Sequence, residues 1–225
     1  MRITGGVHRS RSLKAPRGSS TRPTSDRVRE ALFAILASAG AIDGARVLDL
    51  YAGTGALGLE ALSRGAAHAT LVERGREALA AIRANVEALR EERRTRVLAM
   101  PVSRATTALG GDRFDLVFAD PPYADVAKGT TRDELAPIVE AHLAPDARVV
   151  VEHASADGPP AIDGLATLET RRYGDTSLTF YASEAGAIEA ENTDDSPSSA
   201  GVDSAHSTPT TDRSLPAGAP AIDDM

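Results

Sequence analysis

Asp49-Leu50-Tyr51-Ala52-Gly53-Thr54-Gly55-Ala56-Leu57-Gly58 closes a short apolar run, Arg46–Tyr51, and opens a segment, Ala56–Arg64, whose apolar residues recur at helical spacing. A strand, a glycine turn and a helix in that order begin a nucleotide-binding α/β unit. Gly53, Gly55 and Gly58 fit the G-x-G-x-x-G fingerprint, and Glu73 stands 20 residues beyond Gly53, at the end of the next strand-like run, Ala69–Glu73. An acid there can accept hydrogen bonds from the ribose hydroxyls of NAD or of S-adenosylmethionine, so the fingerprint alone leaves two cofactors open. Asp49 separates them. A carboxylate four residues before Gly53 repels a pyrophosphate but suits the ammonium and sulfonium of S-adenosylmethionine. Asp49, Tyr51, Gly53, Gly55 and Glu73 are therefore the candidate cofactor contacts, with Asp49 as a plain cap on the turn amides the competing reading.

Outward from this unit, strand-like and helix-like segments alternate. Before it, Asp26–Ala37 carries Val28, Ala31, Leu32, Ile35 and Leu36 at amphipathic spacing, with Thr24 or Ser25 available as a cap. After it come a helix over Arg76–Arg90 and further strands over Arg96–Met100, Phe114–Ala119 and Arg148–Glu152. Alternation of this kind predicts an α/β fold of Rossmann-like type, a mostly parallel sheet covered on both faces. Ala166–Tyr173 and Thr176–Tyr181 flank Gly174-Asp175, which predicts a C-terminal antiparallel hairpin along one edge. Ligands of such folds lie beyond the carboxyl ends of the strands, where strand order reverses.

The strand Phe114–Ala119 runs directly into Asp120-Pro121-Pro122-Tyr123. Two prolines stiffen the backbone and supply no amide hydrogens, so the carbonyls there project without local donors. A carboxylate (Asp120), a bare carbonyl (Pro121) and an aromatic plate (Tyr123), held by Pro122, make a receptor for a planar ring bearing an amine. Such an amine is a poor nucleophile, because its lone pair is delocalised into the ring. Holding both of its hydrogens out of plane localises that pair and aims it at a methyl carbon, through positioning and preorganised electrostatics. No metal is needed, and the five histidines show no ligand spacing.

Charge is unevenly distributed. From Glu184 to the end there are nine acids and one base, a net −8, whereas the rest of the chain is +1. Met1–Glu30 holds eight bases against two acids. A basic front is the electrostatic footprint of a phosphate-rich partner. Arg9, Arg11, Lys14, Arg17 and Arg22, on an extended arm near the base pocket, and Arg27, on the first helix, are its candidate RNA contacts. Arg27 and Arg29 share a helix, and pairing of one of them with Asp26 or Glu30 is the equal alternative. The tail is Ser-, Thr-, Pro- and Asp-rich with few large apolar residues, a composition that predicts disorder. The expected organisation is thus a basic arm over 1–25, a catalytic domain over 26–183 and an acidic tail over 184–225. No apolar run is long enough to span a membrane, and cysteine is absent, so a cytoplasmic monomer is expected.

Asp120-Pro121-Pro122-Tyr123 is similar to the Asp/Asn/Ser-Pro-Pro-aromatic motif of methyltransferases acting on adenine N6, cytosine N4 and guanine N2. Together with Met1–Gly6, Arg22–Glu30 and Gly53–Arg64, it makes the chain resemble the RsmD family over about Met1–Tyr181. The resemblance implies a class I methyltransferase fold and S-adenosylmethionine as methyl donor. It also implies Asp120–Tyr123 as the base site, and as substrate the N2 amine of a guanine in 16S rRNA of the small ribosomal subunit, of the guanine-966 type. One departure is Met100-Pro101-Val102, where relatives often carry an acid or Asn toward the adenine, which leaves that contact to the backbone. DNA amino-methylation shares the same pocket, and an NAD-dependent oxidoreductase is favoured by the glycines alone.

Overall fold

The computed structural model describes residues 1–15 and 26–184. The elements are α1 (Asp26–Ser38), β1 (Arg46–Leu50), α2 (Ala56–Ser63), β2 (His68–Glu73), α3 (Arg76–Leu89) and β3 (Thr95–Ala99). They continue with α4 (Ala105–Leu109), β4 (Phe114–Ala119), α5 (Tyr123–Ala127), α6 (Thr130–His142), β5 (Leu143–Ala154), β6 (Leu165–Tyr173) and β7 (Thr176–Ser183). One sheet of seven strands runs in the order β3-β2-β1-β4-β5-β7-β6. Its first five strands are parallel, and β7 pairs antiparallel with both β5 and β6. The Rossmann-like fold and the closing hairpin are as the sequence predicts.

Strand order reverses between β1 and β4. Their register pairs Leu50 with Ala119, so Tyr51 and Asp120 leave the sheet side by side at the crevice where ligands bind in such folds. Alternation along the strands divides the core. Val47, Phe118 and Val150 pack beneath α1, α2 and α3 with Phe33, Leu59 and Ile82, whereas Leu48, Val117 and Val151 meet α4 and α6 with Leu109, Leu135 and Ile138. Both faces are apolar because both are covered.

Differences from the sequence reading are local. β5 begins at Leu143 rather than Arg148, because Leu143 pairs with Phe114 ahead of a register irregularity, and the polar Asp146 breaks the apolar pattern there. The larger difference is at the front. Residues 1–15 do not extend from the body but fold back on themselves, with an antiparallel bridge between Arg2 and Ser12. Ile3 and Leu13 are buried in the core, and burial of two apolar side chains outweighs the freedom of an open arm. Gly6 has a left-handed φ of 76°, and a Cβ on it would come within 1.8 Å of the Ser63 carbonyl oxygen. The Gly5-Gly6 pair thus permits close packing on the end of α2. Arg17, Arg22, the Thr24 or Ser25 cap and the tail from 185 onward lie outside the described residues.

Candidate active site

A cavity of about 900 Å3 opens at the carboxyl ends of β1, β2, β4 and β5. Tyr51, Gly53, Glu73, Asp120, Pro121, Pro122 and Tyr123 all border it, from three strands that are distant in sequence. Asp49 and Gly55 do not.

Gly53 sits in the turn after β1 with a left-handed φ of 55°, and a Cβ added there would meet nothing closer than the Tyr51 carbonyl oxygen at 3.9 Å. The space above this turn is open to a ligand. Glu73, at the end of β2, ties the turn down: one carboxylate oxygen accepts from the Gly53 amide at 2.8 Å, the other from the Arg74 and Gly75 amides at 2.8 and 2.6 Å. A carboxylate offers about four acceptor sites, so Glu73 can still take ribose hydroxyls while holding these amides. Tyr51 adopts a left-handed φ of 58°, an uncommon conformation for a bulky residue, and its hydroxyl donates to Glu134 on α6.

Asp49 differs from its expected place at the lip of the turn. It is buried, and its Oδ2 accepts from the Gly58 amide at 2.9 Å, so it braces the first turn of α2 from below. Burial, opposed by the Gly58 amide and reinforced by Glu73, pushes its pKa up to about 7. Gly55 caps α2 in a left-handed conformation and packs against Leu71.

At the end of β4, the half-buried Asp120 sits behind the exposed ring of Tyr123. The Asp120 amide donates to the Leu50 carbonyl, which locks the tetrapeptide to the end of β1. Pro121 is buried, and Pro122 starts the short α5 at Tyr123. Tyr123 Oη lies 2.8 Å from Thr176 Oγ1 and 3.5 Å from Glu152 Oε1. Burial first, then the nearby charges of Glu152 and Asp49, raise the Asp120 pKa well above the ordinary carboxylate range. Glu134, Glu152 and Thr176 are site residues that the sequence did not single out. Glu152 ends an unremarkable strand pattern, and Thr176 reaches the cavity only because the hairpin folds back along β5.

The family model "Conserved hypothetical protein 95" matches residues 1–182. The chain belongs to the RsmD family. Ribosomal RNA small subunit methyltransferase D of Escherichia coli K12 is 36% identical over 188 residues, covering 82% of this chain and 91% of that one. YlbH of Bacillus subtilis strain 168, provisionally named an rRNA methyltransferase, is 35% identical over 187 residues, 80% of this chain and 98% of its own. The solved structure of Escherichia coli yhhF, provisionally described as a methyltransferase, superposes with a TM-score of 0.70 at 36% identity, covering 82% and 98% of the two chains. This RsmD-family chain is a methyltransferase with a Rossmann-like fold.

The residues of this RsmD-family site fit S-adenosylmethionine, the cofactor that the sequence implies. The cavity lies near the upper end of the ~300–1,000 Å3 usual for ligand sites, room for a cofactor and a base together. Glu73 on its wall, with the Asp49 carboxyl beneath the turn, suits a cationic cofactor and would repel a pyrophosphate. Met100, Pro101 and Val102 supply an apolar wall with no acid or Asn, as the sequence departure from the family pattern implies.

The candidate RNA contacts of this RsmD-family chain are spread apart. Arg9, Arg11, Lys14 and Arg27 are exposed. The folded front segment has its tip at the far end of α2, where the Val7 amide donates to the Ser63 carbonyl, and Arg11 donates to the Ala88 carbonyl on α3. Its two ends lie by the cofactor turn: Asn85 bridges the Lys14 backbone to the Thr54 carbonyl, and Thr54 Oγ1 donates to Met1 Sδ. Lys14 is therefore close to the cavity and Arg9 is not. Arg29 is buried and pairs with Asp26 at 2.9 Å and Glu60 at 3.4 Å, so the structural alternative holds for it.

Proposed function

We propose that this chain transfers a methyl group from S-adenosylmethionine to the exocyclic N2 amine of a guanine in the 16S rRNA of the small ribosomal subunit. The observation that carries the reading is Asp120-Pro121-Pro122-Tyr123 bordering the same cavity as Glu73 and Gly53. Kinship to a relative named ribosomal RNA small subunit methyltransferase D supports the RNA substrate.

When bound, S-adenosylmethionine supplies an electrophilic methyl on sulfur. Glu73 would hold its ribose hydroxyls, Gly53 would let the backbone approach, and Met100–Val102 would bed the adenine. Tyr123 stacks on a guanine flipped out of its RNA, and the Asp120 carboxylate and Pro121 carbonyl accept the two N2 hydrogens. The lone pair is thereby localised toward the methyl carbon. Methyl transfer would break the sulfur–methyl bond, leaving a neutral thioether, as the N–C bond formed; the amine would then give up one proton to the Asp120 carboxylate that already accepts it. Its raised pKa makes it a better proton acceptor than an ordinary carboxylate. Lys14 grips a phosphate beside the cavity, Arg9, Arg11 and Arg27 extend that basic surface, and Arg17 and Arg22, outside the described residues, complete the set of phosphate contacts.

Incubation with labelled S-adenosylmethionine and separate pools of small subunits, naked rRNA and duplex DNA tests the reading. Label is expected in RNA as N2-methylguanosine. Transfer to DNA as N6-methyladenine or N4-methylcytosine would replace it with DNA amino-methylation.

A further inference from the structure

We propose that Glu152 is the residue that selects guanine over other amine-bearing bases, by accepting the hydrogen on guanine N1 while Asp120 and Pro121 hold N2. The inference rests on the guanine reading above and names the group that enforces it. Asp120-Pro121-Pro122-Tyr123 alone recognises an amine on a flat ring, and adenine, cytosine and guanine all carry one. What differs is the ring nitrogen next to that amine. In guanine, whose C2 amine lies between N1 and N3, the nitrogen set toward Glu152 is N1–H, a donor. In adenine (N1) and cytosine (N3) it is a bare acceptor.

The sheet sets a second carboxylate beside the amine holder. β4 and β5 run parallel with Ala119, the last residue of β4, opposite Val151, so Asp120 and Glu152 each directly follow this last pair. Adjacent strands lie about 4.8 Å apart. Phe118 and Val150, two residues earlier, share one core face, and alternation returns Asp120 and Glu152 to that face. Both border the cavity, and Glu152 Oε1 is 3.5 Å from Tyr123 Oη, at the edge of the stacking plate. A base stacked on Tyr123 with its amine at Asp120 thus presents the neighbouring ring nitrogen toward Glu152.

Two carboxylates this close repel one another, consistent with the upward shift of Asp120. The guanine edge relieves that repulsion, because N1–H and N2–H2 form a row of donors facing a row of acceptors. Adenine or cytosine would instead set a lone pair against Glu152, leaving a buried acceptor facing another. Sites built to hydrogen-bond an N–H reject analogues lacking it far more strongly than apolar pockets reject a changed shape.

The test replaces the methylated guanine of small-subunit RNA, by splinted ligation, with 2-aminopurine. This base keeps the amine at C2 but has no hydrogen on N1. The wild-type enzyme is expected to prefer guanine by about 100-fold or more in kcat/KM. Glu152→Gln should lower kcat/KM on guanine while sparing 2-aminopurine, narrowing the ratio at least tenfold, with S-adenosylmethionine affinity unchanged. Equal wild-type rates on the two bases would overturn the role of Glu152 without recourse to any variant. So would an equal fall on both bases in Glu152→Gln. A wild-type product other than N2-methylguanosine, read by nucleoside mass spectrometry on unmodified RNA, would remove the guanine reading and this inference together.

Discussion

Tyr123 Oη and Thr176 Oγ1 lie 2.8 Å apart, joining the aromatic plate that ends β4 to the first residue of β7, 53 positions later in the chain. The C-terminal hairpin therefore orients the ring proposed to stack on the target base. Removing either hydroxyl loosens the plate without deleting it. Tyr123→Phe and Thr176→Val should each lower single-turnover methylation by less than about tenfold, roughly the worth of one hydrogen bond. The double variant should do no worse than either one, since both remove the same contact. Tyr123→Ala should lose stacking worth about 1–3 kcal/mol and raise the RNA concentration needed. Tyr123→Phe as inactive as Asp120→Ala would give the hydroxyl a chemical role that this mechanism lacks.

Asp120→Asn should bind S-adenosylmethionine as the wild type does, yet lose about 100-fold or more in methyl transfer, since an amide accepts more weakly and cannot take the proton. Asp120 must be ionised to act, and its pKa is raised by burial, Glu152 and Asp49. Activity should therefore fall on acidification at a higher pH than an ordinary carboxylate titrates. Glu152→Gln removes one of the charges that raise it and should move that acidic limb to lower pH. A pH–rate profile under single-turnover conditions reads both.

The buried Asp49 titrates near 7 in the folded protein against 3.8 in a free chain. Between those values the native state holds a proton that the unfolded state has released. The contribution of Asp49 to stability is thus full below about pH 4, shrinks as pH rises and is gone above about 7, a change of at most about 4 kcal/mol. Asp49→Asn keeps an acceptor for the Gly58 amide and should flatten this part of the stability–pH curve, measured by urea denaturation from pH 4 to 8. A cationic cofactor favours the ionised form, so wild-type affinity for S-adenosylmethionine should rise through pH 7 more steeply than that of Asp49→Asn, read by calorimetry.

Glu60 organises the other end of α2. Fully buried, it accepts from Thr4 Oγ1 and from the Thr4 and Gly5 amides, and it pairs with Arg29 and Arg64. Glu60→Ala leaves the buried Arg29 guanidinium with only Asp26 as an anionic partner and should cost about 3–5 kcal/mol in unfolding free energy. It should also expose the bond after Arg9 or Arg11 to trypsin. Unchanged stability and protease resistance would mean that Ile3, Leu13 and the bonds to Ser63, Asn85 and Ala88 hold the front segment without Glu60.

Lys14→Ala should weaken RNA binding and flatten its salt dependence by about 0.7–0.9 of a log unit in slope, the loss of one phosphate contact. Arg9→Ala, at the far tip of the folded segment, should change the slope less. Filter binding across a salt series compares them, and the reverse order would place the RNA over the far end of α2.

The glycine turn, the acid at Glu73 and Asp120-Pro121-Pro122-Tyr123 were legible in the sequence because each is local: strand, turn and helix follow from neighbouring residues, and the strand ends name the crevice. Asp49 was read as a cofactor contact at the lip of the turn, with a cap on the turn amides as the alternative; its bond from the Gly58 amide follows that alternative, because its direction is set by α2 folding over it. The front segment was misread as an open arm. Its basic residues are conspicuous in sequence, whereas Ile3 and Leu13 acquire meaning only when α2 and α3 offer a face to bury them. Glu152, Glu134 and Thr176 carry no motif at all. Periodicity along one strand determines which residues face inward, and the sequence by itself determined that much, together with the fold class and the amine-holding tetrapeptide. Which side chains from different strands share the cavity was decided by strand order and register, long-range pairings that no local pattern encodes.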